Sequence, residues 1–403
     1  MRKGNISIFV PHIGCPHKCS FCNQNIITGQ QKAPTPQDVK DVVDGALAIN
    51  LDGYVYEIAF FGGSFTAIDK DYMISLLEAA YPYVKNGDVM GIRISTRPDC
   101  IDKDILAILK KYGVTSIELG AQSMNKTVLQ KNMRGHTVED IKKSAALIKK
   151  KGFELGLQMM TGLYGSNDAL DMYTANEIIK LQPDTVRIYP TVVLENTYLA
   201  KLYEEGKYKV NGVEESVKIC AKIVPLFKEN GIRIIRLGLH SSEVLKSEML
   251  AGGFHDCLGE LVTSRIMLNE ILEQPKGKYL IFINHKSMSK ILGNRKMNLA
   301  VLKEQGYYVE IYVDDTIVPD NLRIEPYSEK RAKELRVIAE KNNTGVIIPG
   351  ELNDDKEKRK REARRIIALE ENKSRKNKGA VGKKAVNKSN NNSKGKKNGF
   401  KNT

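Results

Sequence analysis

Three thiols crowd one short run of this chain, Gly14-Cys15-Pro16-His17-Lys18-Cys19-Ser20-Phe21-Cys22, with three and then two residues between successive cysteines. Thiolate is a soft ligand that selects iron–sulfur clusters, zinc or copper(I) over hard cations. A cubane cluster has four irons, so three cysteines leave one iron open to a small molecule that can chelate it. A structural zinc ion takes four protein ligands instead; His12 or His17 could supply the fourth, although no second Cys-x2-Cys pair follows downstream. Six cysteines in 403 residues, three of them in one loop, do not make a disulfide scaffold, and no signal-peptide pattern precedes them. A reducing compartment is expected.

The elements that must position this loop read as parallel βα units, because short β-rich runs alternate with longer amphipathic segments. The expected strands are Ile6 to Val10, Tyr56 to Phe61, Gly91 to Ser95, Ser116 to Leu119, Phe153 to Met159, Thr185 to Tyr189 and Ile232 to Leu237. Thr35-Pro36 opens a helix as N-cap and first-turn proline, with Val39, Val42, Val43, Ala46 and Leu47 expected on one face. In parallel barrels the chemistry collects in loops leaving the carboxyl ends of strands. The cysteine loop follows the first strand, Gly62-Gly63-Ser64-Phe65-Thr66 the second, Thr96-Arg97-Pro98-Asp99 the third and Gly120-Ala121-Gln122-Ser123 the fourth. Met160 to Leu163 and Pro190-Thr191 close the next two. Six loops on one rim would surround a single cavity.

The Cys-x3-Cys-x2-Cys run, with the aromatic Phe21 before the last cysteine, resembles the signature of the radical S-adenosylmethionine (radical SAM) superfamily. Glu118 to Ser123, Arg134-Gly135-His136-Thr137, Ile188 to Thr191 and Ala251 to His255 resemble the radical domain of the Elongator catalytic subunit. The likeness to the oxygen-independent coproporphyrinogen oxidase group is looser. Together the similarity runs from about Ile6 to Arg265.

The resemblance implies an α/β fold, an incomplete parallel (β/α)6 TIM-like barrel. It also implies a 4Fe-4S cluster on Cys15, Cys19 and Cys22 whose open iron binds the amine and carboxylate of S-adenosylmethionine. Gly62 and Gly63 would receive that amine, and Thr96, Gln122, Arg134 and Gln158 the rest of the cofactor. Cys257, near His255, is a candidate hydrogen donor to a substrate radical, whereas Cys100 and Cys220 are expected to pack. An enzyme of this kind takes its electron from a donor such as flavodoxin or ferredoxin. Its substrate is expected to be RNA, in particular transfer RNA. A porphyrinogen or another small molecule is the second reading, and a non-catalytic cluster-, haem- or RNA-binding protein the third. Residues 276–350 lack the glycine-rich turn that holds the pyrophosphate of acetyl-CoA in the Elongator acetyltransferase domain.

The net charge of +15 is concentrated at one end: from Lys356 to Thr403 there are 18 basic and 4 acidic residues, while the preceding body is nearly neutral. That Lys/Asn/Ser/Gly-rich tail cannot bury enough apolar surface to fold, beyond a short helix around Ile366, Ile367 and Leu369, and it would add sequence-independent attraction to phosphates. The expected organisation is a barrel over 1–265, a small C-terminal α/β accessory domain over 266–350, and a largely disordered basic tail over 351–403. No apolar run is long enough to cross a bilayer. A cytoplasmic protein is expected.

Overall fold

The computed structural model describes residues 2–10, 15, 18–23, 26, 32–49, 53–342, 344, 346–348 and 357–369; His12, His17 and residues 370–403 of the basic tail lie outside the described residues. The chain divides into two units, Met1–Val262 and Thr263–Thr403.

In the first unit the β-branched and aromatic runs form β1 (Arg2–Val10), β2 (Tyr54–Gly62), β3 (Ile92–Thr96), β4 (Val114–Gln122), β5 (Glu154–Thr161), β6 (Thr185–Pro190), β7 (Val192–Leu194), β8 (Arg233–Leu237) and β9 (Met249–Gly252). Seven of these make one parallel sheet in the order β1-β2-β3-β4-β5-β6-β8. This curled sheet is an incomplete TIM-like barrel, and its strands are the seven expected from the pattern. β8 extends the six-unit expectation by one strand. β7 and β9 pair antiparallel outside the sheet, an element the pattern did not announce because three or four residues carry no usable period.

Strand alternation gives the sheet two different faces. One is an apolar ladder of Ile6, Ile8, Ile58, Phe60, Ile92, Ile94, Ile117, Leu119, Leu155, Leu157, Val186 and Ile188, all buried. The crossover helices pack on it with Val39 and Val43, Leu76 and Leu77, Leu106 and Leu109, Ile141 and Ile148, and Ile178. The helix opened by Thr35 runs Pro36–Ile49, and Thr35 and Asp38 cap it reciprocally. Val42 departs from the expected apolar face: it is exposed, whereas Val39 and Val43 are buried and Ala46 and Leu47 half-buried.

The other face is polar. Arg93 donates to Glu57 (2.7 Å), Glu154 (2.8 Å) and Glu118 (3.3 Å), and Arg187 makes a two-pronged contact with Glu118 at 2.6 and 2.8 Å. Gly156 leaves room for Glu118, since a Cβ there would lie 2.7 Å from its Cγ. Burial works against the Arg187 charge, yet Glu118 holds the guanidinium above its ordinary value.

The second unit has a four-stranded sheet, β12-β10-β11-β13, from β10 (Lys278–Ile283), β11 (Tyr308–Val313), β12 (Leu322–Pro326) and β13 (Val346–Ile347). Between β10 and β11 a single tight turn from Asn294 leads into the helix Met297–Glu304. Residues 357–369 are helical, so the tail starts with the short helix its few apolar residues suggest. Among the described residues no helix is long and apolar enough to cross a membrane.

Candidate active site

The exits of β1 and β2 are joined at the rim. Gly63 N–H donates to Val10 O at 2.8 Å, and Gly62 holds φ +110, where a Cβ would sit 2.5 Å from that same oxygen. The glycine requirement at 62 therefore comes from the neighbouring strand, and the Gly63 amide is engaged by it.

The cysteine loop is anchored at Ser20, directly after Cys19. Ser20 N–H donates to Asn132 O at 3.1 Å, its hydroxyl donates to Asn132 Oδ1 at 2.8 Å, and its carbonyl accepts from Leu199 N–H at 2.7 Å. Cys19 and Phe21 are buried with Val128, Leu163, Leu199 and Tyr208. Apolar packing thus fixes the loop around Cys19 and Phe21.

Buried cations stand beside the thiols. Arg134 donates through Nη1 to Cys19 Sγ at 2.9 Å and through Nη2 to Gly120 O at 2.6 Å, and its guanidinium lies 5.9 Å from the centre of the Phe21 ring. Arg97, paired with Asp99 at 2.9 Å, donates to Arg134 O. Burial raises the Cys15 thiol above its ordinary value, while the Ser64 backbone N–H and the two guanidinium groups pull it down. Cys100, expected only to pack, shares this environment: burial raises its thiol too, and Ser64 and Cys15 are among the groups that act on it.

The other expected residues separate into distinct roles. The Thr96 hydroxyl is saturated by Ser64 Oγ at 2.8 Å and Thr66 Oγ1 at 2.6 Å, so it builds the loops. Gln158 donates to Glu118 at 3.0 Å and belongs to the polar face of the sheet. Gln122 sits at φ +66, where the β4–β5 register is interrupted. Its Oε1 is buried without a partner among the described residues, as are Arg134 Nε, Arg97 Nη1 and His136 Nδ1. Burial, then Arg134 and Arg97, push His136 down to about 3, so its ring is neutral. A stranded buried polar atom costs about 1–3 kcal/mol, and four of them in the linked segment 97–136 mark a place that a polar ligand would satisfy. Cys220 is buried, as expected. Cys257 is exposed and its N–H donates to His255 Nδ1 at 3.0 Å; among the described residues no contact joins it to the cysteine loop.

The donor set suits a soft metal cluster: three thiols on one anchored loop, with two guanidinium groups near enough to offset thiolate charge. Among the described residues no three His, Cys, Asp or Glu side chains already stand in a metal-holding group. Sequence reasoning placed Arg97 only as a member of the loop after the third strand and did not single out Arg93, Arg187 or Glu57. Their signal was available, because charged residues at alternate positions of otherwise apolar strands must face something polar.

Beside the loop after β5 lies a groove of about 440 Å³ lined in part by Gly162, Tyr164, Ser166, Lys207, Tyr208 and Asn211. Asp171, buried beneath that loop, accepts from Gly162 N–H at 2.8 Å and from the Ser166 hydroxyl.

Comparison with known proteins adds an independent line. The model of the Radical SAM superfamily matches residues 9–174, and that of the Radical_SAM C-terminal domain matches 183–267. A tRNA uridine(34) acetyltransferase of Methanocaldococcus jannaschii is 31% identical over 250 residues, covering 51% of this chain and 46% of that protein. Elongator complex protein 3 of Homo sapiens is 32% identical over 190 residues, covering 42% and 35%. The matched stretch thus spans about half or less of these relatives. The structure of Methanocaldococcus infernus Elp3 superposes with a TM-score of 0.54 at 21% identity, over 69% of this chain and 66% of that one, a likeness of fold. With two consecutive family models matching the stretch that carries the thiol loop and the parallel sheet, the chain belongs to the radical SAM superfamily of enzymes.

Proposed function

We propose that this protein is a radical SAM enzyme that modifies RNA, with transfer RNA as its substrate. The observation that carries the reading is the anchored loop of Cys15, Cys19 and Cys22 beside Arg134, within a rim that holds four buried polar atoms without a partner among the described residues. When bound, a 4Fe-4S cluster supplies the electron that cleaves S-adenosylmethionine to methionine and a 5′-deoxyadenosyl radical, and the hard chemistry is the cofactor's.

The chain's own residues would hold and orient. Cys15, Cys19 and Cys22 would ligate the cluster, and Arg134 would steady the Cys19 sulfur while Gly120 fixes its other prong. Gln122 Oε1 and the free nitrogen atoms of Arg97 and Arg134 are an acceptor and donors suited to an amine, carboxylate and ribose. Gly62 and Gly63 would present backbone at the same rim, and Thr96 with Ser64 and Thr66 keeps that rim in shape. Cys257 would act as hydrogen donor only from a surface position. RNA is favoured by the tRNA-modifying relatives and by the basic tail. An electron donor such as flavodoxin or ferredoxin would reduce the site. Acetyl transfer is left out of the proposal, because residues 276–350 have no glycine-rich turn for the CoA pyrophosphate.

Anaerobic reconstitution tests this directly. Wild type should take up iron and sulfide and form 5′-deoxyadenosine with a strong reductant, and Cys15→Ala/Cys19→Ala/Cys22→Ala should do neither. Zinc in place of iron, or no 5′-deoxyadenosine from iron-loaded wild type, sinks the proposal. Nucleoside mass spectrometry of transfer RNA from a deletion strain should show one modified nucleoside missing, and an unchanged profile removes RNA as substrate.

A further inference from the structure

The second unit contains a turn that the radical chemistry does not use. Between β10 and β11, which run parallel, the chain forms a helix over Met288–Leu292, the turn Gly293-Asn294-Arg295-Lys296, and a helix over Met297–Glu304. Ile291 from the first helix and Leu299 and Leu302 from the second are buried against Ile281, Ile283, Val309 and Ile311 of the sheet. The result is a β-helix-turn-helix-β module with both helices seated on one sheet face.

The turn is built rigidly. Gly293 has φ +74, and a Cβ there would meet the Asn298 side chain at 2.8 Å. Asn298 donates back to Ile291 O at 3.2 Å and Lys290 O at 3.3 Å, which closes the end of the first helix with a residue of the second. Arg295 and Lys296 then both take the left-handed conformation, at φ +49 and +60. Each such residue costs about 1–2 kcal/mol in an L-amino acid. The consequence is that Asn294, Arg295 and Lys296 all project into solvent, followed by Met297, which is also exposed. Lys290 next to them is neutralised by Asp320, whereas Arg295 and Lys296 have no acidic partner among the described residues.

We propose that the Gly293–Lys296 turn grips the sugar–phosphate backbone of single-stranded RNA. KH modules place a Gly-x-x-Gly loop between two helices and clamp four backbone nucleotides on it. Here the first glycine is present, and Lys296 occupies the last position in the left-handed conformation glycine would supply, adding a cation where phosphates would lie. The N-terminus of the eight-residue helix Met297–Glu304 points the same way and favours anions. Exposed Met297 offers an apolar contact for a ribose or base. The choice of RNA over another polyanion rests on the function proposed above; the turn itself argues for the backbone contact.

The test uses the full-length chain and a fluorescein-labelled single strand of about twelve ribonucleotides, read by anisotropy at near-physiological salt. Arg295→Asp/Lys296→Asp is a gentle substitution, since aspartate tolerates left-handed backbone better than most residues. It should weaken binding about tenfold or more with an unchanged thermal midpoint. Lys303→Asp, at the far end of the same helix, should leave the dissociation constant within about twofold. Arg295→Ala and Lys296→Ala alone should each cost a few-fold, which keeps the test open if the double variant is destabilised. Unchanged affinity in the turn variants, or an equal loss in Lys303→Asp, overturns the site, and tighter binding of the matching DNA strand overturns the assignment to RNA. Formation of 5′-deoxyadenosine without RNA should be the same in wild type and turn variant. Wild type that fails to cleave S-adenosylmethionine but binds RNA through the turn would therefore sink the proposed reaction and leave this site standing.

Discussion

Asp171 shows how one buried side chain ties a loop to pH. Burial pushes its carboxyl from the ordinary 3.8 up to about 6, against the Ser166 and Gly162 hydrogen bonds that favour the ion. The folded chain therefore binds this proton more tightly than the unfolded chain. Its contribution to stability is complete below about pH 4 and is lost as pH rises through about 6. Asp171→Asn removes that dependence, so the unfolding free energy of the variant minus that of wild type should climb by about 3 kcal/mol between about pH 3.5 and pH 7. Urea titrations across that range measure it, and a flat difference contradicts the assignment. Arg134 differs in kind. It spans 115 positions to reach Cys19, and nothing in the local sequence marks it for that partner.

At the scale of elements, the rim depends on how strand ends are joined. Gly62 is the tightest case, because its backbone lies in a region open to glycine and its missing Cβ leaves space for Val10 O. Gly62→Ala should lower stability by at least about 2 kcal/mol, from backbone strain plus displacement of β1. Chemical denaturation reads this, and wild-type stability in the variant would contradict the geometry. Gly-Gly after a strand was readable as a turn from sequence. That the constraint comes from β1 was not, because the contact depends on parallel pairing with Val10 opposite Gly62.

The whole molecule is two units with different cores. Apolar faces of the parallel sheet and its helices hold the first, and a cluster built on Ile281, Val309 and Ile311 holds part of the second. Heating should therefore give a calorimetric trace whose van't Hoff enthalpy is smaller than its measured enthalpy, because separate cores need not melt together. Equal enthalpies would mean one cooperative unit. The charge distribution also belongs to this scale: most of the net charge is in the tail, while the second unit exposes the Arg295–Lys296 pair.

The seven strands of the parallel sheet and the thiol loop were present in the chain before any folding was known, because hydrophobic period, turn residues and cysteine spacing are local properties. Periodicity also placed the loops on one rim once the strands were taken as parallel. Tertiary structure alone decided which charges meet. Glu118 lies on a strand of buried residues, and only the β3–β4–β5–β6 register brings Arg93, Gln158 and Arg187 to it. The turn at Gly293 likewise reads as an ordinary breaker until Asn298 and the sheet beneath it fix two successive cationic residues in left-handed backbone. Pairing across a sheet and closure of a turn are set by atoms far apart in sequence, and a pattern read along the chain carries no record of them.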